Sequence, residues 1–156
     1  MEIRALRPSD DRSAFQSGDE ALDRFFHHYA GQNQFRHYLG VTYVVVDAER
    51  ILGFATVAPR HIEIDDLPER ARKKLPRYPV PCFRMGRLAC RSDRRGQGIG
   101  RLLIGCAVER CLQARKQVAA FALIVDAKDA AAMAFYGHYG FTACTDSQMT
   151  LYLPLG

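Results

Sequence analysis

Apolar residues recur along this chain in two different rhythms. Leu22, Phe25, Phe26 and Tyr29 fall at the i, i+3, i+4, i+7 spacing of one helical face. Ser17-Gly18-Asp19-Glu20 just before them reads as a capping box opening that helix, and Gly31 as its end. Tyr38 to Val46 and Ile51 to Ala58 read as β-strands joined through Asp47-Ala48-Glu49-Arg50 as a hairpin. A polar insert with Pro68, Pro76, Pro79 and Pro81 follows, carrying a short basic helix. Cys82 to Cys90 reads as a further strand and Arg101 to Val108 as a buried helix. Val118 to Val125 is another strand, Ala130 to His138 a helix stopped near Gly140, and Met149 to Leu153 a last strand. With a first strand over Glu2 to Leu6, the predicted order is β-α-β-β-α-β-α-β-α-β, a mixed α/β layer fold.

Size and composition narrow this picture. At 156 residues and 48% apolar content, the chain is expected to form a single domain spanning 1–156. No run reaches the roughly 18 apolar residues of a membrane span, and Met1-Glu2-Ile3-Arg4 opens no signal sequence. A cytoplasmic protein without membrane partners is therefore expected. Five cysteines without C-x-x-C spacing argue against a disulfide framework or a zinc site, and no metal is expected. Cys90, Cys106 and Cys111 fit as small core residues. His27 and His28 are adjacent, point to different helix faces and cannot form an i, i+4 metal pair. The formal charge of +5 suits an anionic partner such as coenzyme A or nucleic acid, and equally suits plain solubility. Its basic residues bunch at Arg70, Arg72, Lys73, Lys74 and Arg77, and at Arg84, Arg87, Arg91, Arg94 and Arg95.

The most informative chemistry lies in Arg94-Arg95-Gly96-Gln97-Gly98-Ile99-Gly100, between a predicted strand and a predicted helix. Glycines at alternate positions let the backbone approach a ligand, and N–H groups at the helix start can hold phosphate oxygens. A P-loop would need Gly-Lys-Ser/Thr, whereas Gly100 is followed by Arg101-Leu102. A dinucleotide fingerprint would need G-x-G-x-x-G near the first strand of a βαβ unit. The pattern present is R-x-x-G-x-G, on Arg95, Gly98 and Gly100. It resembles the pyrophosphate loop of the GNAT acetyltransferase superfamily, and Arg101-Leu102-Leu103 is similar to that family's helix start. Ala132-Met133-Ala134-Phe135-Tyr136-Gly137-His138-Tyr139-Gly140-Phe141 resembles the family's A-x-x-F-Y-x-x-x-G-F signature. Phe15-x-Ser17-Gly18-x-x-x-Leu22-Asp23-x-Phe25 is similar to the N-terminal signature of one group within it. That group comprises the toxins of the TacT/AtaT type, and Gly86-Arg87-Leu88-Ala89 and the closing Leu151-Tyr152-Leu153-Pro154-Leu155 also resemble it.

The resemblance implies a GNAT fold, a central mixed twisted sheet flanked by helices with splayed central strands holding coenzyme A. It implies acetyl-CoA as cofactor, held by Leu88, Ala89, Cys90, Arg95, Gly96, Gln97, Gly98, Ile99, Gly100, Arg101 and Phe135. It places Tyr136 as the catalytic acid. Acetyl transfer from a thioester expels a thiolate whose conjugate acid, if cysteine-like, has a pKa of about 8.5, and a positioned phenol can protonate it. No comparable general base stands on the central strand; Glu63, Asp65 and Asp66 precede it. A lysine amine, pKa about 10.4, needs a base more than an α-amine at about 7.7–8.0. The absence fits aminoacyl-tRNA as acceptor, and the resemblance adds a translation-blocking toxin neutralised by a ribbon-helix-helix antitoxin. RNA contact is expected from Arg91 and Arg94, with Arg72, Lys73 and Lys74 as a second basic cluster. No histidine is placed by sequence to activate Cys82 or Cys90, so direct attack is expected rather than a covalent route. A homodimer remains a candidate assembly. The rival readings are a GNAT enzyme acting on a small-molecule or protein amine, and a non-catalytic coenzyme A or RNA binding protein.

Overall fold

The computed structural model describes residues 1–77, 79–145 and 149–156. The chain divides into two compact units, each built from two stretches: Met1–Ala58 with Gly86–Glu109, and Pro59–Met85 with Arg110–Gly156.

In the first unit, β1 (Glu2–Ala5) pairs antiparallel with β2 (Val41–Asp47), and β2 with β3 (Arg50–Ile62). The β2–β3 hairpin turns on Ala48 and Glu49, both at positive φ (49° and 66°). Positive φ at both central residues is the two-residue turn that matches strand twist, here made without glycine. The helices α1 (Glu20–His28) and α2 (Ala30–Phe35) follow β1. Phe26 stacks on Phe54 of β3 at 4.4 Å, and Phe15 meets both rings edge-on at 5.0 and 5.5 Å. These rings join Leu6, Phe25, Ala30, Val44, Ile51 and Ala89 in one core. The C-terminal part of β4 (Val80–Cys90) and α4 (Ile99–Ala114) as far as Glu109 complete the unit.

In the second unit, Cys82–Met85 of β4 runs parallel to Ala122–Val125 of β5 (Ala122–Asp126). β5 pairs antiparallel with β7 (Thr150–Pro154), and β7 with β6 (Thr142–Ala143). A parallel pair needs a long crossover, and the chain from β4 through α4 to β5 supplies it. The one-turn helix α3 (Glu69–Arg72) and α5 (Ala130–His138) belong to this unit. Its core gathers Ile62, Leu67, Val80, Cys82, Ala122, Ile124, Cys144 and Tyr152.

Several sequence expectations are corrected. Ser17 is not the helix cap: Asp19 is, accepting from the Ala21 and Leu22 N–H groups at 3.0 and 3.1 Å. Ser17 instead bonds Asp23, hydroxyl to carboxylate at 2.6 Å and N–H at 3.0 Å. Gly31 ends no helix; α1 stops at His28 and Gly31 lies inside α2. Val118 is not in a strand, because its N–H bonds the Ala114 carbonyl at 2.9 Å, leaving its side chain 69% exposed. β3 runs on past Ala58 to Ile62, and the short β6 was not foreseen.

Candidate active site

The glycine loop is set by how closely α4 can lie against β3. Gly53 of β3 sits under the first turn of α4. A Cβ there would come within 2.6 Å of Ile99 Cγ2, 3.0 Å of the Ala89 carbonyl and 3.1 Å of Leu103 Cδ1. From the other side, the Arg91 N–H bonds the Leu52 carbonyl at 2.8 Å and the Ser92 N–H the Gln16 carbonyl at 2.9 Å. The loop between Arg91 and Ile99 is therefore pinned at its base to β3 and to the segment before α1. Arg95 adds a third tie, its guanidinium donating to the Ser17 carbonyl. The Gly18 position lies against it: φ is 91°, and a Cβ would meet Arg95 Nη2 at 2.8 Å. The Phe15–Phe25 segment thus holds the loop, a role for Ser17 and Gly18 that no local pattern could reveal.

Above that base the backbone is open. Gly96 and Gly98 have φ of 77° and 81°, and a Cβ on either would meet no protein atom within 4 Å. Glycine is needed there for conformation, and the bare main chain it leaves can be approached by a bulky anion. The first α4 turn brings N–H groups without intrahelical carbonyl partners, together with the positive end of the helix dipole. The N–H groups of this turn are those a phosphate would use. This donor set fits a pyrophosphate.

The predicted cofactor residues divide by what they can offer. Ala89 and Ile99 have buried side chains, in the core and against Gly53, and contribute only main chain. Leu88 and Cys90 are half-buried; Gln97 and Arg101 are exposed. Burial pushes the Cys90 thiol up and the Cys82 thiol up to about 11, which removes the thiolate a covalent route would need.

Tyr136 is held by the end of α5. Asp129 caps the helix start, accepting the Ala132 N–H at 2.8 Å. At the other end Gly140 adopts φ 94°, its N–H bonds the Gly137 carbonyl at 3.1 Å, and Phe141 N–H bonds the Tyr136 carbonyl at 3.2 Å. This is a Schellman motif, with glycine at the left-handed position. It folds Phe141 back so that its ring meets Tyr136 edge-on at 5.6 Å, while Phe135 meets Tyr136 at 5.4 Å. Tyr136 is 8% exposed and fixed between them. The spacing F-Y-x-x-x-G-F is thus a device for immobilising one phenol.

The basic residues fare unequally. Arg91 is an internal strut rather than an open cation: it reaches Asp93 at 3.0 Å and the Ala14 carbonyl at 3.5 Å, and its side chain is 16% exposed. Arg94 contacts Gln97 Oε1 at 3.5 Å. Arg72 lies 3.8 Å from Asp65, Lys73 lies 3.8 Å from Glu69, and Lys74 is exposed. The acids before β4 are similarly engaged, Glu63 with His61 at 3.9 Å. Asp126, at the end of β5, carries no local sequence signal that marks it. One oxygen accepts the Thr150 hydroxyl at 2.8 Å; the other meets Arg60 at 3.0 Å and Arg84 at 3.1 Å. With both oxygens engaged, it serves as an anchor for two arginines, not as a ready base.

Residues 39–143 match the acetyltransferase (GNAT) domain family. This chain is a GNAT acetyltransferase. As such it is an acetyl-CoA-dependent N-acetyltransferase. The GNAT chain is 33% identical over 140 residues, 88% of its length and 82% of the relative's, to a tRNA-acetylating toxin of Mycobacterium tuberculosis. Among solved structures it superposes on AtaT complexed with acetyl-methionyl-tRNAfMet with a TM-score of 0.90 and 28% identity, covering 98% of this chain and 94% of that one. It also matches a tyrosine-to-phenylalanine mutant of AtaT bound to acetyl-CoA and the C-terminus of the antitoxin AtaR. There the TM-score is 0.82 and the identity 26%, over 99% of this chain and 92% of that one.

Proposed function

We propose that this GNAT enzyme acetylates the α-amine of aminoacyl-tRNA, and that it is a translation-blocking toxin restrained by a small ribbon-helix-helix antitoxin. The observation that carries this reading is the match over 98% of the chain to AtaT complexed with acetyl-methionyl-tRNAfMet. The complex of AtaT with the AtaR C-terminus supports the antitoxin half of it. Residues 1–156 act as one acetyltransferase domain, in the cytoplasm where charged tRNA is found; among the described residues no helix is long and apolar enough to cross a membrane.

Bound acetyl-CoA supplies an activated acyl thioester. The N–H groups of the Gly96–Arg101 stretch hold its pyrophosphate, with Arg95 keeping the loop in place through Ser17. Leu88, Ala89 and Cys90 offer main chain to the pantetheine arm, Phe135 offers an apolar edge, and the Leu88 backbone polarises the acyl carbonyl. The neutral α-amine would form the N–C bond at the acyl carbon as the C–S bond breaks; Tyr136 would give its phenolic proton to the departing sulfur, and the proton shed by the amine nitrogen would return through solvent to the tyrosinate. No strong base is required, because an α-amine is partly neutral near pH 7.5 and the engaged Asp126 offers none. Arg94, Arg72, Lys73 and Lys74 contact RNA phosphates, while Arg91 braces the end of β4.

The test is to incubate the purified chain with acetyl-CoA and total aminoacyl-tRNA, digest the RNA and weigh the aminoacyl-adenosines by mass spectrometry. A gain of one acetyl group on at least one species is expected. Acetylation of lysine peptides or polyamines with none on aminoacyl-tRNA would replace this reading with that of a general amine acetyltransferase.

A further inference from the structure

A groove of about 370 Å³ opens between α1, α2 and β4, within the first unit. Its size falls in the roughly 300–1,000 Å³ range of small-ligand sites. Arg24 and Phe25 line it from α1, Tyr29 from the junction of the two helices, Asn33 from α2 and Arg87 from β4. Among the described residues no acid lines it. The Arg87 guanidinium lies over the Phe25 ring at 3.8 Å, which sets that cation at the groove wall. Arg24 is 59% exposed, and its contact to Glu20 at 3.4 Å is a surface ion pair that costs little to exchange. Tyr29 is 47% exposed, yet its main chain is fixed on both sides. Its N–H bonds Phe25 at 2.8 Å, and its carbonyl accepts from Asn33 at 2.9 Å.

Two guanidinium groups, one exposed aromatic ring on a fixed backbone and one amide are the parts that hold a nucleotide: cations for phosphate, a face for the base, an amide for its edge. The position of the groove says which nucleotide. Arg87 is followed on β4 by Leu88, one strand residue or about 3.3 Å further on, where the proposed function puts the thioester carbonyl. In an aminoacyl-tRNA the reacting amine is separated from the 3′-terminal ribose by a single amino acid. The terminal nucleotide must therefore lie beside the thioester, and the groove begins there.

We propose that this groove seats the 3′-terminal adenosine of the aminoacyl-tRNA, with its base on Tyr29 and the neighbouring phosphates on Arg24 and Arg87. The inference rests on the aminoacyl-tRNA reading of the function. It makes Tyr29 a specificity-determining residue with no part in the chemical step.

The experiment compares two acceptors bearing the same amino acid, an aminoacylated CCA trinucleotide and the amino acid methyl ester, using wild type, Tyr29→Ala, Tyr29→Phe and Arg24→Ala. The wild type should prefer the trinucleotide. Tyr29→Ala should raise its KM about 5- to 150-fold, the range for loss of one stacked base. The same change should leave kcat and the methyl ester kinetics near wild type, and Tyr29→Phe should retain the preference. Arg24→Ala, on the outer face of α1, should raise the trinucleotide KM alone, and it answers independently should Tyr29→Ala fail to fold. If wild-type enzyme acetylates aminoacyl-tRNA but both alanine variants keep its KM, the groove is not the nucleotide site, while the function stands. If aminoacyl-tRNA is not acetylated at all, the function and the groove assignment fall together. Capture of an antitoxin segment, with loss of that binding in Tyr29→Ala and no change in trinucleotide KM, would reassign the groove to the protein partner.

Discussion

Tyr136 shows how much one residue depends on its immediate neighbours. Its phenol is held by two aromatic rings and by the Schellman turn at Gly140. Tyr136→Phe keeps the ring in that packing and removes the phenolic proton that the proposed mechanism delivers to the leaving thiolate. Acetyl transfer should fall by about 10²–10⁴-fold. Stability should fall by no more than about 1.5 kcal/mol, the worth of one hydrogen bond, and the acetyl-CoA-induced rise in Tm should persist. Steady-state kinetics beside a thermal melt check all three; full activity would leave Tyr136 a packing residue. Arg91 makes the opposite point. By sequence it is one of a row of cations suited to RNA, but in the fold it is consumed by Asp93 and the Ala14 carbonyl, 77 residues away. Charge is written in the sequence, whereas its availability is a matter of burial and partners.

At the scale of elements, the loop and α4 form one device, and β3 controls it. Gly53 is an unremarkable residue of a strand by sequence, yet it is what lets the first turn of α4 approach the sheet. Gly53→Ala forces a methyl group into Ile99, Leu103 and the Ala89 carbonyl, and overpacking of this kind costs about 1–3 kcal/mol. Chemical denaturation should show that loss. Because the displaced turn carries the N–H groups proposed to hold the pyrophosphate, acetyl-CoA should also bind more weakly, read as a smaller ligand-induced Tm shift. Unchanged stability and unchanged shift would mean that the α4 contact adjusts without strain. The element boundaries themselves were readable where a local rule sets them. α5 was predicted residue for residue, since its Asp129 cap and Gly140 stop act within a few positions. The helix near Leu22 is legible in the sequence, whereas its cap is Asp19 and not Ser17. Both Ser17 and Asp19 are good caps, and only the reach of Asp23 back to Ser17 selects between them.

For the whole molecule, the Arg4–Asp10 pair is one contributor to the acid limb of stability, and a partly buried one. Arg4 donates to both oxygens of Asp10 at 2.8 Å, and the Arg7 N–H adds a third bond at 2.7 Å. The Arg4 hydrogen bonds hold the Asp10 carboxyl below its usual range, against the opposing effect of burial. A carboxyl whose pKa is lower in the folded state favours folding while it is ionised in both states. Its contribution is therefore complete above the unfolded value of about 3.9 and is lost as pH falls below it. Tm should decline on acidification below about pH 4, and Asp10→Asn should lower Tm at pH 7 while flattening that decline. Parallel acid profiles for the two proteins would exclude the pair as a contributor.

By itself the sequence determined the class of the fold, the glycine loop with its following helix, and the Phe135–Phe141 turn around Tyr136. Each is encoded by contacts between residues no more than about five positions apart, so the pattern and the physics share one window. The tertiary structure decided what those pieces are attached to. Arg95 is tied to Ser17 across 78 residues, Gly53 makes room for α4, and a groove forms only where α1, α2 and Arg87 meet. These features depend on which segments the chain brings together after it closes its long loops. That choice belongs to the burial of Phe15, Phe26, Phe54 and their neighbours in one core, and no local spacing of residues records it.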